Sequence, residues 1–213
     1  MPQDDEVTRP QRRSYHAPLR AKAASETRAV ILAAATRLFV EHGYANVTVP
    51  QIAQLAGTAV PTVYASTGGK GAILTNLIED GLQRGTADEA IALLRRTDQP
   101  TEVIAAAAHG TRVDNERDHG IIRVVVGAAH TDKHAAGALV RVNEGYRGAL
   151  EAVVERLGEL EALRSDLTSD RATDVLWYYL GHHSWHELVV AQGWSWDVTE
   201  EWLTNQLRAA VLP

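Results

Sequence analysis

The chain has 213 residues, no cysteine and a formal net charge of −6. That length predicts one large domain or two small ones. The missing cysteine excludes disulfides, Cys-based zinc sites and Fe–S clusters. No apolar run approaches the roughly 18–20 residues of a membrane span. Polar Met1–Glu6 shows no signal peptide, so a cytoplasmic location without membrane association is expected. Thirty-three alanines, and a stretch from Thr62 to Leu212 interrupted only by Pro100, predict an all-α protein.

The charge is unevenly spread. Residues 7–75 hold Arg9, Arg12, Arg13, Arg20, Lys22, Arg28, Arg37 and Lys70 against Glu26 and Glu41, a local balance of +6. The remainder then carries −12. A basic end that meets a polyanion and an acidic body with another task is one reading. A basic tail on an acidic globule is the other.

Residues 1–24, with Pro2, Pro10 and Pro18, read as a flexible basic arm. Ser25 offers an N-cap. Ile31, Ala34, Ala35, Leu38 and Phe39 then form the stripe of an amphipathic helix that His42-Gly43 closes. Thr48 and Gln51 have capping-box spacing, and Pro50 fits the first turn of a second helix. Gly57 stops that helix. Pro61 opens a third that carries Tyr64, and a short helix, a Gly turn and a second short helix form a helix-turn-helix. Ile73, Leu74, Leu77, Ile78 and Leu82 mark a fourth helix ending near Gly85. Further helices are expected from Pro100 to about Arg117, over Gly120–Thr131, from Lys133 to Leu163, and from Thr168 or Ser169 through Val190. Asp197 with Glu200 predicts a last capping box before Trp202–Leu212. No strand-like alternation stands out.

The segment Ala56-Gly-Thr-Ala-Val-Pro-Thr-Val-Tyr64, followed by Lys70, resembles the recognition-helix signature of the TetR family of bacterial transcriptional regulators. Ile31, Leu38-Phe39, Gly43-Tyr44, Thr48 and Ile52-Ala53 match the scaffold part of the same signature. After the arm over 1–24, the resemblance implies a three-helix helix-turn-helix DNA-binding domain over 25–85 and a helical ligand-binding and dimerisation domain over 86–213. It implies a homodimer on a pseudo-palindromic double-stranded DNA operator, most simply a repressor relieved by a small-molecule effector. The sequence departs from the family at Ala59, where a Ser cap is usual, at Thr67, where an aromatic is common, and at Val60 and Pro61. These changes bear on which operator is read.

Between Ala59 and Tyr64 stands no Arg, Lys, Asn or Gln, so bidentate reading of a purine is not expected from this helix. Val60, Pro61 and the Thr62 methyl suit thymine methyl groups. Thr48, at a helix N-terminus, suits a phosphate. The resemblance assigns phosphates also to Tyr64 and Lys70. Thr48, Thr58, Ala59, Val60, Pro61, Thr62, Tyr64 and Lys70 form the expected DNA face. Arg9, Arg12, Arg13, Arg20 and Lys22 are candidates for the adjacent minor groove or the backbone.

In the body, His109, Arg112, His130, Tyr146, Trp177 and Tyr178 are polar or amphipathic residues in apolar helices and candidate pocket residues. His182 and His186 share a helix face at the i, i+4 spacing of two metal ligands, but no third ligand is identifiable; no metal site is predicted. No Gly-rich phosphate loop, His-Glu-x-x-His pair or Gly-x-Ser-x-Gly elbow occurs. No enzyme activity and no cofactor are therefore expected. Two further readings stay open: a helical small-molecule-binding or dimerisation module without DNA binding, and a metal-responsive regulator using His182 and His186.

Overall fold

The structure, a computed structural model, describes residues 16–83 and 87–213, and the side chains of 20–81 and 91–213. Among the described residues every regular element is helical. In order these are α1 (His16–His42), a 3₁₀ turn (Tyr44–Asn46), α2 (Val49–Leu55), α3 (Val60–Thr67), α4 (Lys70–Gln83), α5 (Ala87–Leu94), α6 (Pro100–Ala129) and α7 (Lys133–Glu159). They continue as α8 (Ser169–Leu180), α9 (His182–Trp185), a π-helical segment (His186–Ala191) and α10 (Trp196–Val211).

Two apolar cores organise these helices. The first joins Ile31, Ala35 and Phe39 of α1 to Ile52 of α2, Val63 of α3, and Ile73 and Leu74 of α4. It also takes in Val125 of α6 and Ala135, Ala138 and Val142 of α7. The second joins Val103 and Ile104 of α6, Leu150 and Leu157 of α7, Leu176 and Leu180 of α8, Trp185, and Leu203 and Leu207 of α10. The long helices α6 and α7 thus run through both cores. No described helix is long and apolar enough to cross a membrane.

Several sequence expectations need correction. The helix expected from Ser25 already includes His16–Ser25, so residues 16–24 of the segment read as an arm are helical. Its Ala, Arg, Lys and Leu content favours helix, and Pro18 stands in the first described turn, where a missing N–H is tolerated. Arg9, Arg12 and Arg13 lie outside the described residues, as do the Leu82 side chain and Gly85. A short α5, not anticipated, precedes Pro100.

The two helices expected between Pro100 and Thr131 are one helix of 30 residues. Gly120 does not break it. A Cβ there would stand 3.3 Å from Val40 Cγ2, so the glycine lets α6 press closely on α1. Conversely, the single helix expected from Thr168 to Val190 is broken. Gly181 leaves the helical region at φ −59°, ψ 152°, and a wider π segment follows α9. A Cβ at Gly181 would meet the Trp177 carbonyl oxygen at 2.5 Å. The last helix is capped by Ser195, whose Oγ accepts from the Val198 N–H at 3.2 Å. Asp197 and Glu200 are instead engaged by α6.

Candidate DNA interface and effector cavity

The helix-turn-helix is held by local chemistry. Gln51 Oε1 accepts both the Thr48 N–H and the Thr48 hydroxyl at 2.8 Å, fixing the start of α2. Pro50 and Pro61 occupy first turns, where their missing N–H costs nothing. Gly57 turns the chain at φ +64°, a left-handed conformation that favours glycine. The Thr58 N–H then donates to the Ala53 carbonyl at 3.0 Å.

Val63 and Thr67 are the buried face of α3, and the Thr67 hydroxyl donates to the Val63 carbonyl at 2.9 Å. Thr67 therefore packs inward where the family commonly has an aromatic. Arg28 reaches from α1 to the Ser66 carbonyl at 3.4 Å, and Asn76 from α4 to the Thr67 carbonyl at 3.2 Å. The opposite face of α3 is open. Ala59, Pro61, Thr62 and Tyr64 are exposed, Val60 and Thr58 half-buried, and Thr48 is exposed at the start of α2. Arg20 and Lys22 are exposed on α1, with Lys22 Nζ 4.0 Å from Glu26.

Lys70 begins α4. Its ammonium donates to the Tyr44 carbonyl at 3.0 Å and to the Ala45 carbonyl at 3.4 Å, and lies 4.4 Å from the Tyr44 ring centroid. Burial, with the Asp132 carboxylate nearby, pushes the Tyr44 phenol up to about 12. Burial opposes the Asp132 charge, but the Ala135 and His134 N–H groups hold it below the usual carboxylate range. Through Asp132, the α6–α7 turn touches the 3₁₀ turn beside α2.

Beneath α4 lies a cavity of about 310 Å³ between α4, α5, α6 and α7. Its walls are mostly apolar, with Leu77, Ile78, Ile91, Leu94, Val142 and Leu150. One polar strip crosses it along α6: Thr111, Asp114, Asn115, Arg117 and Asp118. Asn115 Nδ2 donates to the Thr111 carbonyl at 2.7 Å and to the Tyr146 hydroxyl at 2.9 Å. The Tyr146 hydroxyl donates to the Leu180 carbonyl at 2.5 Å, which the Gly181 break leaves without its helical partner. Trp185 Nε1 donates to the same oxygen at 3.1 Å. Burial pushes the Tyr146 phenol further up. A hydrogen-bond chain thus links the cavity wall to the break between α8 and α9.

Of the six pocket candidates, only Tyr146 lines this cavity. Trp177 backs it, its ring edge-on to Tyr146 at 5.7 Å. Tyr178 is 66% exposed, and His130 is exposed at the end of α6. His109 and Arg112 serve another purpose. Arg112 bonds Glu200 at 2.8 Å and Asp197 at 2.7 Å, and His109 Nδ1 lies 3.0 Å from Glu200. Glu200, followed by Asp197 and Glu116, holds the Arg112 guanidinium above its ordinary range. This network ties α6 to α10.

Sequence reasoning missed Asn115, Asp114, Arg117 and Asp118. The spacing of three and four residues along Thr111, Asp114, Asn115 and Asp118 was the available signal, but polar residues at that spacing equally fit a solvent-facing helix stripe. His182 and His186 do stand one turn apart, with His119 of α6 near His186 at 6.4 Å between ring centroids. Burial, with Arg123 and His186, lowers His119; burial, with His183 and His186, lowers His182. No group of three His, Cys, Asp or Glu among the described residues is arranged to hold a metal ion.

The family model "Bacterial regulatory proteins, tetR family" matches residues 31–77, from α1 into α4. No curated protein matches the chain. Three solved structures share its fold. FadR of Bacillus subtilis in complex with stearoyl-CoA is 17% identical over 84% of this chain and 96% of its own, with TM-score 0.70. SmeT of Stenotrophomonas maltophilia in complex with triclosan is 20% identical over 88% of this chain and 92% of its own, with TM-score 0.69. NalD of Pseudomonas aeruginosa, the secondary repressor of the MexAB-OprM efflux pump, is 18% identical over 89% of this chain and 98% of its own, with TM-score 0.70. Residues 31–77 match the tetR family of bacterial regulatory proteins, and the chain as a whole has the fold of a TetR-family transcriptional regulator.

Proposed function

We propose that the protein is a homodimeric repressor that binds a pseudo-palindromic operator through α3 and releases it when a small molecule fills the cavity beneath α4. The observation that carries this reading is the position of that cavity. Leu77, Ile78 and Gly81 of α4 line it, while Lys70 at the other end of the same helix adjoins the helix-turn-helix. A ligand that favours one α4 position therefore favours one spacing of the two recognition helices in a dimer, and half-sites lie about 34–36 Å apart. The stearoyl-CoA and triclosan complexes of FadR and SmeT support the expectation of an effector.

On the DNA, Val60, Pro61 and the Thr62 methyl meet thymine methyls. Thr48, Thr58, Ala59, Tyr64 and Lys70 lie along phosphates, which set register rather than sequence. For Lys70 this requires exchange of the Tyr44 and Ala45 carbonyls for a phosphate. Arg9, Arg12, Arg13, Arg20 and Lys22 add backbone or minor-groove contacts.

Fluorescence anisotropy with the DNA upstream of the protein's own gene tests the proposal. Specific binding that resists competitor DNA is expected. A variant lacking residues 1–15 should show a shallower salt dependence, by about 0.9 per lost phosphate contact. No binding to any upstream fragment at low salt overturns the reading.

A further inference from the structure

The inference rests on the cavity beneath α4 being an effector site, and concerns what that site accepts. Among the described residues, the Thr111, Asn115 and Tyr146 donors of its wall are all spoken for. The Thr111 hydroxyl donates to the Ala108 carbonyl at 3.0 Å. Both hydrogens of Asn115 Nδ2 are used, by Thr111 O and Tyr146. The Tyr146 proton goes to Leu180. Arg117 is spanned by two carboxylates, Asp114 Oδ1 at 3.1 Å and Asp118 Oδ2 at 2.5 Å.

The acceptors are in a different state. Asn115 Oδ1 has no partner among the described residues. The amide cannot be reversed, because Thr111 offers only a carbonyl at that point. Asp118 directs Oδ2 to Arg117, and its Oδ1 has no partner among the described residues. Asn115 and Asp118 stand three residues apart on α6, so they face the cavity as neighbours one turn apart. Around them the wall is apolar, with Leu77, Ile78, Leu94 and Val142.

A carboxylate brought here loses its water and meets acceptors or a guanidinium already held by two anions. An ammonium, or another strong donor, finds Asn115 Oδ1 and Asp118 Oδ1 waiting, in surroundings that strengthen a charge-assisted bond. We infer that the effector is a compact apolar molecule with a cationic, hydrogen-bond-donating head, seated between Asn115 and Asp118, and that the site discriminates against apolar carboxylates. At about 310 Å³ the cavity lies at the small end of ligand pockets, roughly 300–1,000 Å³, which favours a single short chain or ring system.

Three probes with one tail and different heads test this: n-octylamine, n-octanol and sodium octanoate. Each is titrated calorimetrically into the full chain near neutral pH. The amine should bind tightest, at least about tenfold tighter than octanoate. Asp118→Asn should abolish that preference and strengthen octanoate, since Arg117 then faces one carboxylate fewer. Asn115→Leu should weaken the amine and leave octanoate unchanged. Octanoate binding as tightly as the amine overturns the inference while leaving the effector site in place. An unchanged ratio in Asp118→Asn overturns it too. Binding of none of the three overturns the effector site itself. DNA binding measured on the same preparations separates that outcome from loss of fold.

Discussion

Tyr146→Phe isolates the hydrogen-bond chain that joins the cavity to the α8–α9 break. The ring is retained, so packing against Trp177 at 5.7 Å should persist. Only the hydroxyl is lost. The Leu180 carbonyl keeps Trp185 Nε1 at 3.1 Å, and Asn115 Nδ2 keeps the Thr111 carbonyl at 2.7 Å. Each group therefore loses one of two partners in a buried setting, which places the cost at about 1–2 kcal/mol. For a chain of this length each kcal/mol lowers Tm by roughly 2–4 °C, so a fall of about 2–8 °C is expected. Thermal unfolding by circular dichroism reads this, with protein concentration fixed because association shifts Tm. A Tm unchanged within about 1 °C would mean that the Leu180 carbonyl is satisfied without Tyr146, refuting the proposed link.

Other predictions follow from the same geometry. Gly57→Ala has no neighbour within 4 Å to meet, so its cost is conformational alone, about 1–2 kcal/mol for a left-handed residue; Gly57→Asn should cost less, and equal Tm for all three proteins would contradict this. A double-mutant cycle of Arg112→Ala and Glu200→Ala should give a coupling of about 1 kcal/mol, falling with salt, since both side chains are only about one-fifth exposed. Additive effects would show that the pair does not tie α6 to α10. Burial lowers the His119 and His182 imidazoles in the fold, so the unfolded chain binds more protons just below the ordinary histidine value. Stability should then fall as pH drops below about 6.5, and His182→Gln should flatten the slope of Tm against pH; a slope unaltered in that variant would exclude His182 as a source.

What the sequence made legible was local. The helix-turn-helix could be read because its boundaries are set by neighbours in the chain: Pro50 and Pro61 in first turns, Gln51 on Thr48, Gly57 at positive φ. The body could not be read so well, because its boundaries are set by contacts from elsewhere. Gly120 resembles a helix end in sequence, yet it is where α6 meets Val40 of α1. Gly181 lies amid helix-forming residues, yet the chain breaks there, and Tyr146 and Trp185 satisfy the freed carbonyl from other positions. Asp197 and Glu200 have the spacing of a cap but serve Arg112. Among the cavity candidates, polarity alone did not show which face of a helix each residue occupied. Tyr146 turned inward, while His109, Arg112 and Tyr178 did not line the cavity. The charge asymmetry is also legible in the sequence, but six of the eight basic residues counted over 7–75 precede residue 31, so it marks the segment before the matched residues 31–77 rather than the match itself.

The central claim is that α3 of each protomer reads one half-site. Hydroxyl-radical footprinting of the full chain on its own upstream DNA tests this most directly. Two protected half-sites are predicted, one helical turn apart or a multiple of it, about 34–36 Å centre to centre per turn. Tyr64→Ala, which truncates an exposed side chain on α3, should remove both protections together without lowering Tm. A single protected site, uniform weak protection, or a pattern unchanged in Tyr64→Ala would contradict the account.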